Sequence, residues 1–311
     1  MVLESYEMSK LFVVIVTYKG QRWYERCFDS LRHSTLPVQT IVVDNASNDG
    51  TVEYIKENYP EIHLIESKEN LGFGKANNIA MRYALDQGCD YVFLLNQDAW
   101  VEPDTLEKLV DIAARYPEYG IVAPLQLNKE RTKVLYCVVD FLTYPGKINH
   151  QMISDLLLGR EEEIYSVGEI NAAAWLLPRH TLETVGGFDP IFLHYGEDWN
   201  YLSRVLFHKM KVGVVPRVGV VHDCKDHVDR PDGYVMNYEK WLLLRSTDLL
   251  YPDTQVDGMI RHYRRLAMLK AFSFHKSTFI ENRDAYRFLK KNRERIVESR
   301  NHNKNIGANW L

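Results

Sequence analysis

No stretch of this 311-residue sequence reaches 18 consecutive apolar residues, so no segment is expected to span a bilayer as a helix. The first ten residues, MVLESYEMSK, hold two acids, one lysine and no apolar stretch, so a secretory signal is not expected there. The sequence lacks any CxxC pair. Its four cysteines (Cys27, Cys89, Cys137, Cys224) lie far apart, and reduced, buried thiols of a cytoplasmic protein are the expectation. GxxxxGK[ST] is absent, which excludes a Walker A phosphate loop. GxGxxG after the first strand is absent too, which excludes a dinucleotide fingerprint. Neither charge sign dominates: the net charge is −4, so the chain is not built to bind nucleic acid through bulk charge. There is no internal repeat and no low-complexity tract. What is present, 46% apolar and 26% charged residues, is ordinary for a globular chain. The length suits one large domain with an appendage, or two modest ones.

Buried strands and helices alternate over the first hundred residues. Residues 11–17, LFVVIVT, form a continuous β-branched run expected of a strand buried on both faces. Trp23, Cys27 and Leu31 then recur on one helical face. Residues 40–43 and 63–66 read as further strands, with a short helix over 51–58 between them. A polar loop at 70–74 leads into a helix through about Leu85, and a strand at 90–95 ends in Asn96-Gln97-Asp98. Pro103 and Asp104 open a helix with Leu106, Leu109, Val110 and Ala113 inward. Such spacing implies parallel pairing, and ligands of open parallel sheets bind beyond the carboxyl ends of the strands. Further on, strands are expected at 120–124, 134–139, 172–177, 212–215 and 219–221. A surface loop is expected at 145–168 and a helix from Asp198 to about His208.

Several polar residues stand at these strand ends. Asp44 can accept hydrogen bonds from a ligand N–H, or close an Asx turn. Asn96 and Asp98 are alternate residues of one strand end and point the same way. Both can offer oxygens to one hard cation, Mg²⁺ or Mn²⁺, which shares its shell with substrate phosphates; a turn closure is the structural alternative. Glu197 and Asp198 begin a helix, where acids either complement the helix dipole or supply a general base opposite a cationic site. His222 follows a short strand and has Asp98 as a plausible co-ligand; Asp223, His227 and Asp229 come after it. Gly72 and Gly74 allow close backbone approach to a ligand, or a tight turn, and Gly186-Gly187 mark a backbone corner.

In this order, the clusters resemble the family 2 inverting glycosyltransferases of the GT-A fold, with the flavour of the rhamnosyltransferase-like branch that builds bacterial surface polysaccharides. The matching segments are VVIVTYKG (13–20), VVDNASNDGT (42–51), ENLGFGKANN (69–78), FLLNQDA (93–99), VGGFDPIFLHYGEDWNYLSR (185–204) and VVH (220–222). The resemblance covers about residues 10–225, and 185–204 is its most specific part. It implies a Rossmann-like α/β domain with a mostly parallel central sheet over 1–235. Nucleotide-sugar binding would lie at about 10–100 and the acceptor and base region at about 120–225, with a C-terminal helical extension over 236–311. It further implies a nucleotide-diphosphate sugar donor, UDP or dTDP favoured, and a divalent cation, Mg²⁺ or Mn²⁺. The acceptor would be a glycan or lipid-linked glycan. Thr17, Tyr18 and Asp44 would cradle the base, while Asn70, Gly72 and Asn77 would line the donor. Asn96 and Asp98 stand at the metal motif. Asn96 departs from the acid usual there, so Asp98 would carry most of the metal contact, with His222 beside it. Asp198 would be the general base, and Glu197 would help shape the acceptor pocket.

The tail differs in character: residues 261–304 carry thirteen Lys or Arg against four Asp or Glu. Leu266, Leu269 and Phe272, then Tyr286 and Leu289, recur at helical spacing. Two roles suit such basic amphipathic helices: peripheral contact with inner-membrane lipids from the cytoplasm, or packing on the catalytic part with a solvated basic face. Residues 241–244, before Arg245, should form a linking helix, and Arg245 is a candidate to face the diphosphate. Two rivals remain. A sugar nucleotidyltransferase would want a Gly-rich basic signature after the first strand, which residues 17–22 only faintly echo. A catalytically weak nucleotide-sugar or glycan-binding homologue is suggested by Asn96 and opposed by the intact Glu197–Asp198 pair.

Overall fold

The computed structural model describes residues 9–135, 138–139, 150–224, 237–271 and 276–311. Its strands are β1 (Leu11–Thr17), β2 (Val38–Asp44), β3 (His63–Glu66), β4 (Tyr91–Leu95), β5 (Ala99–Val101), β6 (Tyr119–Leu127), β7 (Tyr165–Ser166), β8 (Ala174–Pro178) and β9 (Lys211–His222). They form one sheet in the order β3-β2-β1-β4-β8-β6-β9-β5, with β7 also on β9. The pairs β1–β2, β1–β4, β2–β3 and β6–β9 are parallel, whereas β8 runs antiparallel to both β4 and β6. The sheet is therefore mixed but mostly parallel, as expected of the GT-A fold.

Helices cover both faces. On one side lie α1 (Gln21–Arg32), α2 (Thr51–Asn58) and α4 (Thr105–Arg115). On the other lie α3 (Gly72–Asp86), α6 (Arg179–Thr184) and α7 (Glu197–Phe207). The period of two along β1 serves both layers: Leu11, Val13 and Ile15 enter one core, and Phe12 and Val14 the other. Each such fully buried apolar side chain contributes about 1.5–3 kcal/mol, which is why the run is apolar throughout.

A third cluster joins α8 (Tyr238–Thr247), α9 (Gln255–Lys270) and α10 (Lys276–Asn303) through Leu242, Val256, Ala285, Leu289 and Ile296, with Ile191 packed against it. Asn237 caps α8, its side chain accepting from the Glu239 N–H. The tail is tied to the 184–191 corner. Ser299 and Asn303 donate to Asp189 at 2.5 and 2.6 Å, and the Gly187 N–H donates to the Asn309 carbonyl at 2.7 Å. Among the described residues, no helix is long and apolar enough to cross a membrane.

Several sequence expectations are corrected. The buried face of α1 is Tyr24, Cys27, Phe28 and Leu31. Trp23 stays half-buried, since its indole N–H needs a partner and finds Asp223 at 3.1 Å. Gly72 and Gly74 belong to the first turn of α3, not to a loop before it. Among the described residues of 134–139 no strand forms: a bridge joins Leu127 to Val134, and residues 138–139 are helical. Tyr136 and Cys137 lie outside the described residues, as do His227, Asp229 and Phe272. The expected loop at 145–168 contains α5 (His150–Leu158) and β7, because Met152 and Asp155 turn inward. The two short strands at 212–215 and 219–221 are one, β9, bulged around Pro216, which has no N–H to give the ladder. Leu269 is 60% exposed; Ala267 takes the inward place on that turn of α9. Cys27 and Cys89 are buried thiols as expected, but Cys224 is partly exposed.

Candidate active site

A cleft of about 680 Å³ opens beyond the carboxyl ends of β1, β2 and β4. Tyr18 from β1, Asn45 from β2 and Asn96, Gln97 and Asp98 from β4 reach it directly. Gln97 bridges two of these ends: it accepts from the Tyr18 N–H at 2.9 Å and donates to the Tyr18 carbonyl at 3.2 Å. Thr17 and Asp44 lie beneath the floor, both essentially buried. The Thr17 hydroxyl donates to Asp44 Oδ1 at 3.0 Å and the Ser47 N–H to Oδ2 at 2.8 Å, so both oxygens of Asp44 are engaged by the chain itself.

The opposite wall is the start of α3 and the loop before α7. Asn70 Oδ1 accepts from the Gly72 N–H at 2.9 Å, and Asn45 holds the same turn through the Leu71 N–H and the Gly72 carbonyl. Gly72 has φ +78°, and a Cβ there would run into the Leu193 carbonyl oxygen. The glycine thus allows close approach of the chain itself, bringing Leu193, His194 and Tyr195 to the cleft. Asn77 turns away: it is buried and donates to Phe73 within its own helix.

The antiparallel register Ala99↔His222 brings Asp98 and His222 together. His222 Nε2 lies 3.4 Å from Asp98 Oδ1 and 3.4 Å from the Asn96 amide nitrogen. Nδ1 lies 3.0 Å from Gln126 Oε1, an atom that can only accept, so Nδ1 carries a proton. Gln126 is itself buried and oriented by donating to Asn171. Burial opposes the imidazolium, but hydrogen bonds with Asp98 and Cys224 outweigh it and carry the His222 pKa up to about 10. For Asp98, burial works against ionisation, yet His222 holds it below the usual carboxylate range. Asp98 Oδ1 and His222 Nε2 thus face each other at a spacing in which a divalent ion could be held. The donor set fits such an ion: one carboxylate, one imidazole with a fixed tautomer and a neutral amide alongside. Among the described residues no group of three or more His, Cys, Asp or Glu forms a complete cage. An ion held here needs further oxygens from a ligand, as Mg²⁺ bound through substrate phosphates does.

Glu197 and Asp198 form the first turn of α7, after Tyr195 (φ +66°) and Gly196 (φ +100°). Two left-handed residues in succession turn the chain sharply from the cleft wall into the helix. Burial pushes the Asp198 carboxyl up to about 6, against backbone hydrogen bonds from Trp199, at 2.9 Å, and Ala172. Burial and the charge of Asp198 push Glu197 up to about 7, and Glu197 Oε2 has no hydrogen-bond partner. Glu197 and Asp198 are not among the residues that line the cleft, but one short segment connects them to the Asp98–His222 pair. Asn171 accepts from Gln126, the Ala172 backbone holds Asp198, and the Ala173 carbonyl accepts from the Asn96 N–H at 2.9 Å.

Residues 12–136 match the model of the family described as glycosyl transferase family 2. The N-acetylglucosaminyl-diphospho-decaprenol L-rhamnosyltransferase of Mycobacterium tuberculosis is 30% identical over 241 residues, covering 68% of this chain and 75% of that protein. The chain belongs to glycosyl transferase family 2. This glycosyltransferase is rhamnosyltransferase-like: the dTDP-rhamnosyl transferase RfbF of Shigella flexneri is also 30% identical, over 222 residues and 70% of each chain. Solved structures share its fold. The complex of S. aureus TarS 1-349 with UDP-GlcNAc matches with TM-score 0.57 at 14% identity, over 95% of this chain and 90% of that one. The mannosyltransferase PcManGT of Pyrobaculum calidifontis, solved with GDP-Man and Mn²⁺, matches with TM-score 0.53 at 20% identity, over 94% and 73%.

The structure thus brings Tyr18, Asn70, Gly72, Asn96 and Asp98 to one cleft, with His222 behind Asp98. Thr17 and Asp44 support it from below, and Asn77 stands apart from it. Arg245 does not line this cleft; it bonds the Tyr251 hydroxyl in a separate cavity. Gln97, Gln126 and Asn171 were missed. Gln126 did leave a signal: a lone polar side chain in an otherwise apolar strand needs a buried partner. Arg204 was missed as a support. It is fully buried and donates to the carbonyls of Val185 and Gly187 at 2.6 Å each, clamping the corner that leads to Glu197.

Proposed function

We propose that this glycosyltransferase moves a deoxyhexose or hexose from a nucleotide-diphosphate sugar, UDP- or dTDP-linked, to a hydroxyl of a lipid-linked glycan, with inversion. The carrying observation is the shared 171–173 segment, which ties the Asp98–His222 pair and Asp198 to one scaffold. Rhamnosyl transfer by the mycobacterial and Shigella relatives supports the rhamnosyl character, and the diphospho-decaprenol acceptor of the mycobacterial relative supports the lipid-linked acceptor.

In this reading, Tyr18, Asn45, Asn70 and Gly72 bound the donor site. Asp98 and His222 would hold a divalent cation with Asn96 alongside. When bound, that ion supplies Lewis-acid stabilisation of the charge building on the leaving diphosphate. Gln126 keeps the proton on Nδ1 and so directs Nε2 toward the ion site. Asp198, ionised above about pH 6, accepts the proton of the acceptor hydroxyl. As the acceptor oxygen bonds to the anomeric carbon, the bond from that carbon to the diphosphate oxygen breaks, and its electron pair leaves with the diphosphate. One displacement from the far face inverts the centre. Glu197 shapes the acceptor side. The 1–235 part acts as the catalytic unit and 236–311 as its helical brace. Exposed Arg261, Arg264 and Arg265, beside exposed Met268 and Leu269, give α9 a face suited to anionic lipid at the inner membrane surface.

The test is Asp198→Asn. Nucleotide binding should persist while turnover falls at least about 100-fold, the usual scale of a general base. The wild-type rate should rise with pH through about 6. Turnover near the wild-type rate in this variant refutes the assignment.

A further inference from the structure

Leu193, His194 and Tyr195 line the donor cleft from the side of the loop before α7, and His194 stands three residues ahead of Glu197. We propose that His194 recognises a hydroxyl of the transferred sugar, and that Tyr195 and Lys240, the latter from the C-terminal helix α8, position its ring. The proposal rests on the reading of this cleft as a nucleotide-sugar site and names the group that reads the sugar.

Position is the first argument. A nucleotide-diphosphate sugar laid along the cleft has three parts to house. Tyr18, Asn45 and Asn70 bound one end, and Asp98 with His222 forms the candidate ion site for the diphosphate. The sugar is left with the wall that continues into Glu197 and Asp198, since its anomeric carbon must meet an acceptor deprotonated there. Residues 193–195 supply that wall, and His194 brings two ring nitrogens to it.

The state of the ring is the second. The chain itself engages the ring nitrogens of His208 and His222, whereas His194 has no hydrogen-bond partner among the described residues. Burial first, and the charge of Lys240 second, hold its pKa below the ordinary 6.5, so the ring is neutral at pH 7. A neutral imidazole offers one donor and one acceptor, the complement of an alcohol hydroxyl. An imidazolium would instead be drawn to the diphosphate.

Support is the third. The ring centroids of His194 and Tyr195 lie 3.9 Å apart, and the Lys240 ammonium lies 4.8 Å from the Tyr195 ring centroid. Lys240 makes no ion pair among the described residues, so no carboxylate accounts for its place over that ring. Tyr195 takes a left-handed backbone, φ +66°, a costly state for an aromatic residue that the surrounding structure must impose. Leu193 is fixed on the other side by the close approach of its carbonyl to Gly72. A strained tyrosine in contact with both the imidazole and the ammonium thus ties His194 to α8.

The probes are dTDP with dTDP-rhamnose and UDP with UDP-glucose, titrated against the full chain with Mn²⁺ by calorimetry and read on whichever pair the wild type binds. His194→Phe keeps a ring against Tyr195 but removes both nitrogens. It should weaken the nucleotide sugar about three- to tenfold, the scale of one or two hydrogen bonds, and change the free nucleotide less than about twofold. His194→Gln, which retains a donor and an acceptor, should recover part of the loss. Lys240→Met should show the same split more weakly, and Lys240→Arg, whose cation can still face the Tyr195 ring, should restore it. Melting temperatures check that each variant folds. Equal binding of the nucleotide sugar by wild type and His194→Phe overturns the proposal. Equal weakening of nucleotide and nucleotide sugar also overturns it, by assigning the ring to the nucleotide. Slower transfer with unchanged nucleotide-sugar affinity does so too, by assigning the ring to the acceptor. A wild-type chain that binds neither pair removes the donor reading itself, a failure distinct from one seen only among the variants.

Discussion

Replacing Glu197 by Gln should stabilise the protein, and most strongly above about pH 7. The side chain is 5% exposed and one of its oxygens lacks a partner. Burial first, and the charge of Asp198 second, lift its pKa from an ordinary 4.5 to about 7. Between those values the folded state keeps a proton that the unfolded chain has released. Stability from the protonated form is full below about 4.5 and is lost as pH rises through about 7. Above that point, the folded state carries a cost of about 3 kcal/mol for holding a buried carboxylate. Gln keeps the shape without the charge. Glu197→Gln should therefore gain up to about 3 kcal/mol at pH 8.5, or roughly 5–10 °C in melting temperature. The gain should be less than half as large at pH 5.5. Thermal unfolding of both proteins across that range is the assay. Equal gains at both pH values, or none at pH 8.5, would refute the electrostatic account. Turnover should survive within about tenfold, because Asp198 and not Glu197 takes the proton.

Gln126→Leu leaves Nδ1 of His222 without its acceptor and should weaken Mn²⁺ binding about 10–100-fold, measured by paramagnetic resonance of free Mn²⁺. Asn78→Ala removes the amide that donates to the Phe188 carbonyl at 2.8 Å and accepts its N–H at 2.7 Å. It should cost about 2 kcal/mol or more, read as a lower denaturant midpoint. Arg264→Glu with Arg265→Glu, in the full chain, should reduce pelleting with anionic vesicles but not alter the melting temperature by more than about 2 °C, since both residues are exposed. Equal pelleting would remove the lipid-facing role of α9.

Most of the parallel half of the sheet was legible in the chain. Its strands are buried on both faces, so β1, β2 and β4 must be apolar runs, and their polar endings then mark where a ligand can sit. The start of α7 was legible too, because a glycine turn followed by two acids suits the N-terminal end of a helix dipole. Errors gathered where local pattern underdetermines pairing. The run at 134–139 has the composition of a strand, yet of its described residues Val134 alone bridges β6 and 138–139 turn helical. The bulge around Pro216 made β9 read as two short strands, and only their common pairing with β6 shows them to be one.

The order of apolar runs, turn formers and acids along the chain was enough to determine an α/β sheet with its polar residues at the carboxyl ends, because burial on both faces dictates composition locally. Only the tertiary structure decided which of those polar residues meet. Asp98 reaches His222 through an antiparallel pairing 124 positions apart in sequence. Gln126 and Asn171 orient that histidine from two further strands' neighbourhoods. The cavity beside Arg245 exists only because α7 and α8, separated by a long stretch of chain, lie face to face. Contacts of that range carry no periodicity, so the sequence can mark single polar residues such as Gln126 and His222, while the fold alone fixes the geometry in which they meet.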